Sequence, residues 1–150
     1  MRASVTVHFN APPDTVWSLV SDVTRIGEFS PETFEAEWLD GATGPAVGVR
    51  FRGHVRRNGV GPVYWTVCEV TRCVAERDFG FAVLGAGVRV NNWRYELAPA
   101  GDGTDVTESF ALEVNPLTRI YWAVLGPLRG RTNRRGMLRT LERMKAIAEA

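Results

Sequence analysis
Apolar and polar residues alternate from the start of the chain. Val5, Val7 and Phe9 oppose Thr6 and His8, so residues 3–10 read as a strand. At "NAPPDTVWSLVSDV" the period changes. Pro12 and Pro13 suit a helix entrance and Asp14 favours its first turn. Val16, Trp17, Val20 and Val23 then recur at helical spacing. "TRIGEFSPET" predicts a second short helix, broken near Pro31. From there to about residue 114 the chain reads as strands and turns. "TFEAEWL" (33–39) sets Phe34, Ala36 and Trp38 against Glu35 and Glu37. "VRFRGHVR" (49–56) sets Val49, Phe51, Gly53 and Val55 against Arg50, Arg52, His54 and Arg56. Further strands are expected at 63–70, 78–84, 93–97 and 104–114, with glycine-rich turns at 41–48, 57–62 and 85–87. Alternation of this kind marks an antiparallel sheet with one face on a core and one in water.

Helical period returns in the last 34 residues. Leu117, Ile120, Tyr121, Val124, Leu125 and Leu128 form one stripe, which Leu138, Leu141, Met144 and Ile147 or Ala148 continue. Gly126-Pro127 interrupts it, because proline removes a backbone donor and clashes with the preceding turn. The pattern predicts a short helix near 116–125 and a long one at 128–148. The order is strand, two short helices, six strands, long helix. A sheet with one apolar face must bury it, and the C-terminal helix is the sizeable partner available. The expected class is α+β: a seven-stranded antiparallel sheet, strongly twisted, wrapped around that helix.

Size and charge narrow the partners. The chain has 150 residues, enough for one domain with a real core, and no repeats divide it, so residues 1–150 are expected to form a single domain. A net charge of +1 gives no overall field favouring nucleic acid or an anionic membrane. No apolar run approaches the roughly 18 residues of a membrane span. The N-terminus reads as a strand and lacks a signal-peptide core, so a cytoplasmic location is expected. Cys68 and Cys73 are expected to be reduced and inert. Five Trp, seven Phe and three Tyr supply either a well-filled core or the rings of a cavity wall.

One carboxylate interrupts an apolar face. In "NNWRYELAPAGDGTDVTESFAL", Glu108 shares its side of the last strand with Val106, Phe110 and Leu112. A two-residue turn at Gly101-Asp102 pairs Leu97 with Val106, Tyr95 with Glu108, and Trp93 with Phe110, and both apolar faces coincide in that register. A carboxylate so placed must be hydrogen-bonded, paired with a cation or neutral. Three readings stay open. Glu108 bonds the Tyr95 phenol or an arginine, or bends to solvent, as a structural group; it anchors a ligand hydroxyl or amine; or, with Tyr95, it serves as a general acid or base. No second group completes a catalytic mechanism.

The remaining candidates are weaker. His8 and His54 fall on polar faces and are expected at the surface. Isolated histidines without ligand-spaced partners argue against a metal site, and none is expected. No nucleophile elbow or Ser/His/Asp set can be assembled, and no glycine-rich loop precedes a helix as phosphate binding requires, so no cofactor is expected. "RGRTNRR" (129–135), with Arg139 beyond, concentrates positive charge. It reads as a solvated face or as partners for second-strand carboxylates, with an anionic headgroup, phosphate or RNA as further options. The aromatic residues fall on apolar faces, not beside that patch as a nucleic-acid module requires.

"NAPPDTVWSLVSD", "GVRFRG" and "WRYELAPAGDGTDVTESF" together resemble the START-like superfamily (SRPBCC), which includes polyketide cyclases, Bet v 1-like proteins and bacterial lipid-transport proteins. The resemblance runs over essentially the whole chain and is nearest to the bacterial polyketide cyclase/dehydrase-like members. Many relatives carry tryptophan where Phe29 precedes Ser30-Pro31. The resemblance implies a helix-grip fold with a largely apolar cavity between sheet and long helix. It implies binding of a lipid, polyketide or aromatic metabolite, with cyclase or dehydratase chemistry in some members and protein or ribosome interaction in others. Alternation selects the side chains to line such a cavity. From the sheet these are Trp38, Phe51, Val55, Trp65, Phe79, Phe81, Trp93, Tyr95, Glu108 and Phe110. From the C-terminal helices they are Tyr121, Leu125, Met137 and Leu141. Strand 63–70 has two rival phases, Trp65, Val67 and Glu69 against Tyr64, Thr66 and Cys68. The expected partner is a hydrophobic small molecule, not nucleic acid, and the protein itself is expected to be a monomer or a homodimer.

Overall fold
The computed structural model describes residues 2–56, 62–113 and 134–150. Strand β1 (Arg2–Phe9) leads into helix α1 (Pro13–Val20) and a 3₁₀ helix (Val23–Glu28). Six strands follow: β2 (Thr33–Trp38), β3 (Arg50–Val55), β4 (Tyr64–Val74), β5 (Asp78–Gly85), β6 (Val88–Ala100) and β7 (Gly103–Leu112). Residues 134–148 form the C-terminal helix, α2. The sheet has seven strands in the order β1-β7-β6-β5-β4-β3-β2, every pair antiparallel. This is the helix-grip arrangement.

Each element has a local cause. Pro12 and Pro13 open α1, where a missing N–H costs nothing, and Asp14 sits in its first turn. Asp22 caps the 3₁₀ helix by accepting from Thr24 N at 3.0 Å. Gly101, at φ +60°, is the first of the two residues between β6 and β7, a position that suits glycine. The expected register holds: Leu97 pairs Val106, Tyr95 pairs Glu108 and Trp93 pairs Phe110.

The core lies between the sheet and the helices. Phe9, Val16, Leu19, Phe79, Leu97, Val106, Leu141 and Met144 form one buried cluster. Met137 joins Ala3 and Phe110 in a second. Two polar ties lock the β1–α1 corner. Thr104 Oγ1 donates to the Ala11 carbonyl at 2.8 Å, fully buried. Lys145 Nζ donates to the His8 carbonyl at 2.8 Å, fixing the end of α2 to β1.

The structure departs from the sequence reading at several points. β4 and β6 are longer than expected, because bulges between Val70 and Arg72 and between Val83 and Leu84 let the ladder continue. A bulge between Thr33 and Glu35 throws Phe34 out of phase with Ala36 and Trp38, leaving it 47% exposed on the outer face. On α2 the buried stripe is Met137, Thr140, Leu141 and Met144, while Leu138 is 43% exposed. The expected helix near 116–125, with Tyr121 and Leu125, lies outside the described residues, as do Arg129 and Arg131.

Candidate functional site
Strand pairing sorts the inner face into rows. One row runs Val5, Glu108, Tyr95, Phe79. The next runs Ala3, Phe110, Trp93, Phe81, Val70. A third runs Leu112, Asn91, Val83, Cys68, Phe51, Trp38. Rings join across the rows. Trp38 meets Phe51 edge-on at 5.8 Å between centroids, and Phe51 meets Phe81 at 5.2 Å. Phe81 meets Phe79 at 6.1 Å, and Trp17 reaches Phe79 from α1 at 6.2 Å. Trp93 and Phe110 lie 4.9 Å apart. Edge-to-face and tilted contacts are the favoured geometries for aromatic pairs. Phe81, Val83, Trp93 and Asn91 remain only half-buried although their rows face inward.

Glu108 sits inside this apolar surface at 3% exposure. Burial pushes its carboxyl well above the ordinary carboxylate range, and a hydrogen bond with the Tyr95 phenol pulls it only partly back. The same environment raises Tyr95: burial first, then the charge of Glu108 and the bond to it. Glu108 Oε2 has no hydrogen-bond partner among the described residues. A carboxyl so placed favours its protonated form, which has both a donor and an acceptor oxygen.

The structure brings most expected residues together. Phe51, Phe79, Tyr95, Glu108, Phe110, Met137 and Leu141 are buried, and Trp38, Val55, Phe81 and Trp93 are half-buried. Trp65 is a correction. Pairing of Phe51 with Cys68 puts Thr66, Cys68 and Val70 inward, so Trp65 points outward at 41% exposure. There it stacks on His54 with centroids 4.2 Å apart and planes at 9°, and the Arg52 guanidinium lies 4.2 Å from its ring. Phe34 packs on the other neighbour side, 4.5 Å from His54. Not every aromatic therefore falls on an apolar face. Glu35 Oε1 lies 2.8 Å from His54 Nδ1 in a hydrogen bond, and Glu37 pairs with Arg52, so carboxylates accompany this outer stack. Arg94 holds Asp78 through two bonds, at 3.0 and 2.8 Å. His8 is outward as expected and bonds Asp105 at 2.8 Å.

Two features were missed in the sequence. Asn91 faces inward, and its Oδ1 is a second buried oxygen without a partner among the described residues. Starting β6 at Trp93 hid it, although alternation from Tyr95 back through Trp93 leads to it. A cleft of about 360 Å³ lies where the 3₁₀ helix meets the β2–β3 loop, lined by Ser21, Asp22, Thr24, Trp38, Thr43, Gly44 and Pro45. Its lining comes from segments far apart in sequence, so periodicity carries no sign of it. Among the described residues no three His, Cys, Asp or Glu side chains gather as metal ligands, and no helix is long and apolar enough to cross a membrane. Cys68 and Cys73 are free thiols, and burial pushes Cys68 up to about 12, which keeps it in the unreactive thiol form.

Comparison with known proteins agrees with this geometry. A START superfamily protein from Mycobacterium smegmatis superposes with a TM-score of 0.77 at 19% identity, over 99% of this chain and 97% of that one. The di-domain ARO/CYC StfQ from the steffimycin biosynthetic pathway gives 0.73 at 12% identity, over 99% of this chain and 50% of that one. A polyketide-cyclase-like protein from Corynebacterium glutamicum gives 0.58 at 28% identity, over 98% of this chain and 88% of that one. No curated protein matches the chain. Residues 1–149 match the family described as polyketide cyclase/dehydrase and lipid transport, and the chain belongs to that family.

Proposed function
We propose that the chain binds a small hydrophobic molecule, a lipid, polyketide or aromatic metabolite, between the inner face of the sheet and α2, as a carrier or sensor. Family membership supports a ligand-binding or cyclase role. The observation that carries the reading is Glu108: a buried carboxyl, bonded to Tyr95, with one oxygen unpartnered among the described residues. Around it Trp93 and Phe81 keep accessible surface on the inner face. Rings supply contact area and the Tyr95–Glu108 pair supplies orientation, as in sites lined by apolar groups with a few placed polar ones. One START-like domain acting in the cytoplasm, as a monomer or homodimer, is the form in which we picture this activity. The test is native mass spectrometry of the protein purified from its own host. A retained mass of one small organic molecule is expected. A protein that carries none, and that takes up no cargo from a lipid and metabolite extract of that host, overturns the proposal.

A second reading is a cyclase or dehydratase. It is favoured by the raised carboxyl of Glu108 beside a phenol, since a protonated acid in an apolar site suits proton transfer at neutral pH. Glu108→Gln separates the two. An enzyme loses turnover on its retained ligand while still binding it, whereas a carrier has no turnover to lose.

A further inference from the structure
We propose that the ligand of this site is an elongated molecule with an apolar body and a hydroxyl at each end, one end held by Glu108 and the other by Asn91. This rests on the reading of the inner face as a ligand-binding surface. Buried polar atoms are almost always hydrogen-bonded, so exceptions call for a cause. Among the described residues the buried side-chain oxygens without a partner are Glu108 Oε2 and Asn91 Oδ1. Both belong to the same face of the same two strands. Asn91 precedes Tyr95 by four residues on β6, and Tyr95 pairs with Glu108 on β7. With a rise of roughly 3.3 Å per residue and roughly 4.8 Å between strands, their backbone positions lie roughly 14 Å apart.

What lies between them is apolar. Trp93 is midway on β6, in contact with Phe110 at 4.9 Å, and Phe81 pairs with Trp93 on the far side. Trp93 and Phe81 are partly accessible while both oxygens are covered. A ligand body therefore lands on the rings, and its ends reach for the two covered oxygens. The end groups follow from the atoms they meet. Asn91 Oδ1 only accepts, and a protonated Glu108 offers a donor and an acceptor, so a hydroxyl satisfies either. A carboxylate end group is disfavoured, since it has no donor for Asn91 Oδ1. A ligand with one polar end leaves one oxygen as it is now.

The test uses three flat probes of one shape: anthraquinone, its derivative with a single hydroxyl on an outer ring, and the derivative with a hydroxyl at each far end. Binding to the full chain is measured by titration calorimetry. The two-ended probe is expected to bind about tenfold tighter than the single-hydroxyl probe, the size of one good hydrogen bond. Asn91→Leu should erase that advantage, so that the two-ended and single-hydroxyl probes bind the variant alike, and Glu108→Met should do the same. If Glu108→Met does not fold, Asn91→Leu decides alone. Equal binding of all three probes to the unsubstituted protein, an advantage that survives Asn91→Leu, or no binding of any probe, each overturns the two-ended ligand. The retained-mass measurement judges ligand binding separately, so a protein that carries cargo but ignores these probes loses this inference alone.

Discussion

Two demands oppose each other at Glu108. Burial among rings disfavours its charge, and a single phenol offers only partial compensation. The consequence for stability has a definite sign. A carboxyl raised in the folded state holds its proton to higher pH than in the unfolded chain. Its contribution is therefore fully present below the unfolded value of about 4.3 and is lost as pH rises toward the folded value. The loss is at most about 1.4 kcal/mol per pH unit across that window. Glu108→Gln keeps the shape and cannot titrate. The variant should be more stable than the parent near pH 8, with the difference vanishing near pH 4; denaturant titrations across that range check it, and parallel curves for the two proteins would refute it. Tyr95→Phe removes the partner that holds the carboxyl down. It should cost about 1–3 kcal/mol, measured the same way, because it strands a buried group. Much of this pair was legible beforehand. Gly101-Asp102 fixed the turn, the turn fixed the register, and coincident apolar faces put Tyr95 opposite Glu108. Asn91 was not, because "VNN" is too polar to extend a strand by pattern alone; only the ladder with β5 and β7 shows that β6 begins earlier.

At the scale of elements, alternation located every described strand and failed wherever a strand changed phase. A bulge shifts all later side chains to the other face. That is why Phe34 left the row of Ala36 and Trp38, and no residue type near it announces the shift. Trp65 failed for a different reason: both phases of β4 carry apolar residues, so only pairing with β3 decides between them. Close approaches are similarly silent in sequence. Gly27 of the 3₁₀ helix lies so near β2 that a Cβ built there falls 2.1 Å from the Phe34 carbonyl oxygen. Backbone cannot yield as a side-chain tip can, so Gly27→Ala should push the 3₁₀ helix from β2 and cost about 1–3 kcal/mol. A thermal midpoint equal to that of the parent would refute the contact. On α2, Leu141 is fully buried against the sheet, and Leu141→Ala should cost about 2–5 kcal/mol through lost transfer energy and the cavity left behind. Leu138→Ala, on the exposed side of the same helix, should cost much less, and the contrast between the two in urea titrations reads the orientation of α2 directly.

The whole molecule separates its two faces by chemistry. Inside are rings, a protonation-prone acid and little else that is polar. Outside, among the described residues, arginines stand beside carboxylates: Arg52 with Glu37, Arg94 with Asp78 and Glu96, Arg50 and Arg89 near Glu69. Exposed pairs of this kind contribute little to stability, but they leave the convex face without a strong field of one sign. Composition and element order sufficed to foresee this division, because a sheet that must bury one face has few ways to do it. What they did not foresee is how the charges would pair, since that depends on which strands become neighbours. The arginines at the start of α2 offer a test of docking on an anionic partner. Arg134 and Arg135 are exposed there, away from the buried stripe of Met137, Leu141 and Met144. If cargo is held by the inner face, reversing both to Glu should leave ligand affinity within about twofold and stability within about 0.5 kcal/mol, the usual range for surface changes. If the protein instead works by docking on an anionic partner, the same double variant loses that association, while cargo binding, where present, survives. Affinity for the retained ligand, measured by titration on parent and variant, distinguishes the two. A tenfold fall would mean that the ligand is recognised through charge on α2 and not through the rings and the two oxygens of the inner face.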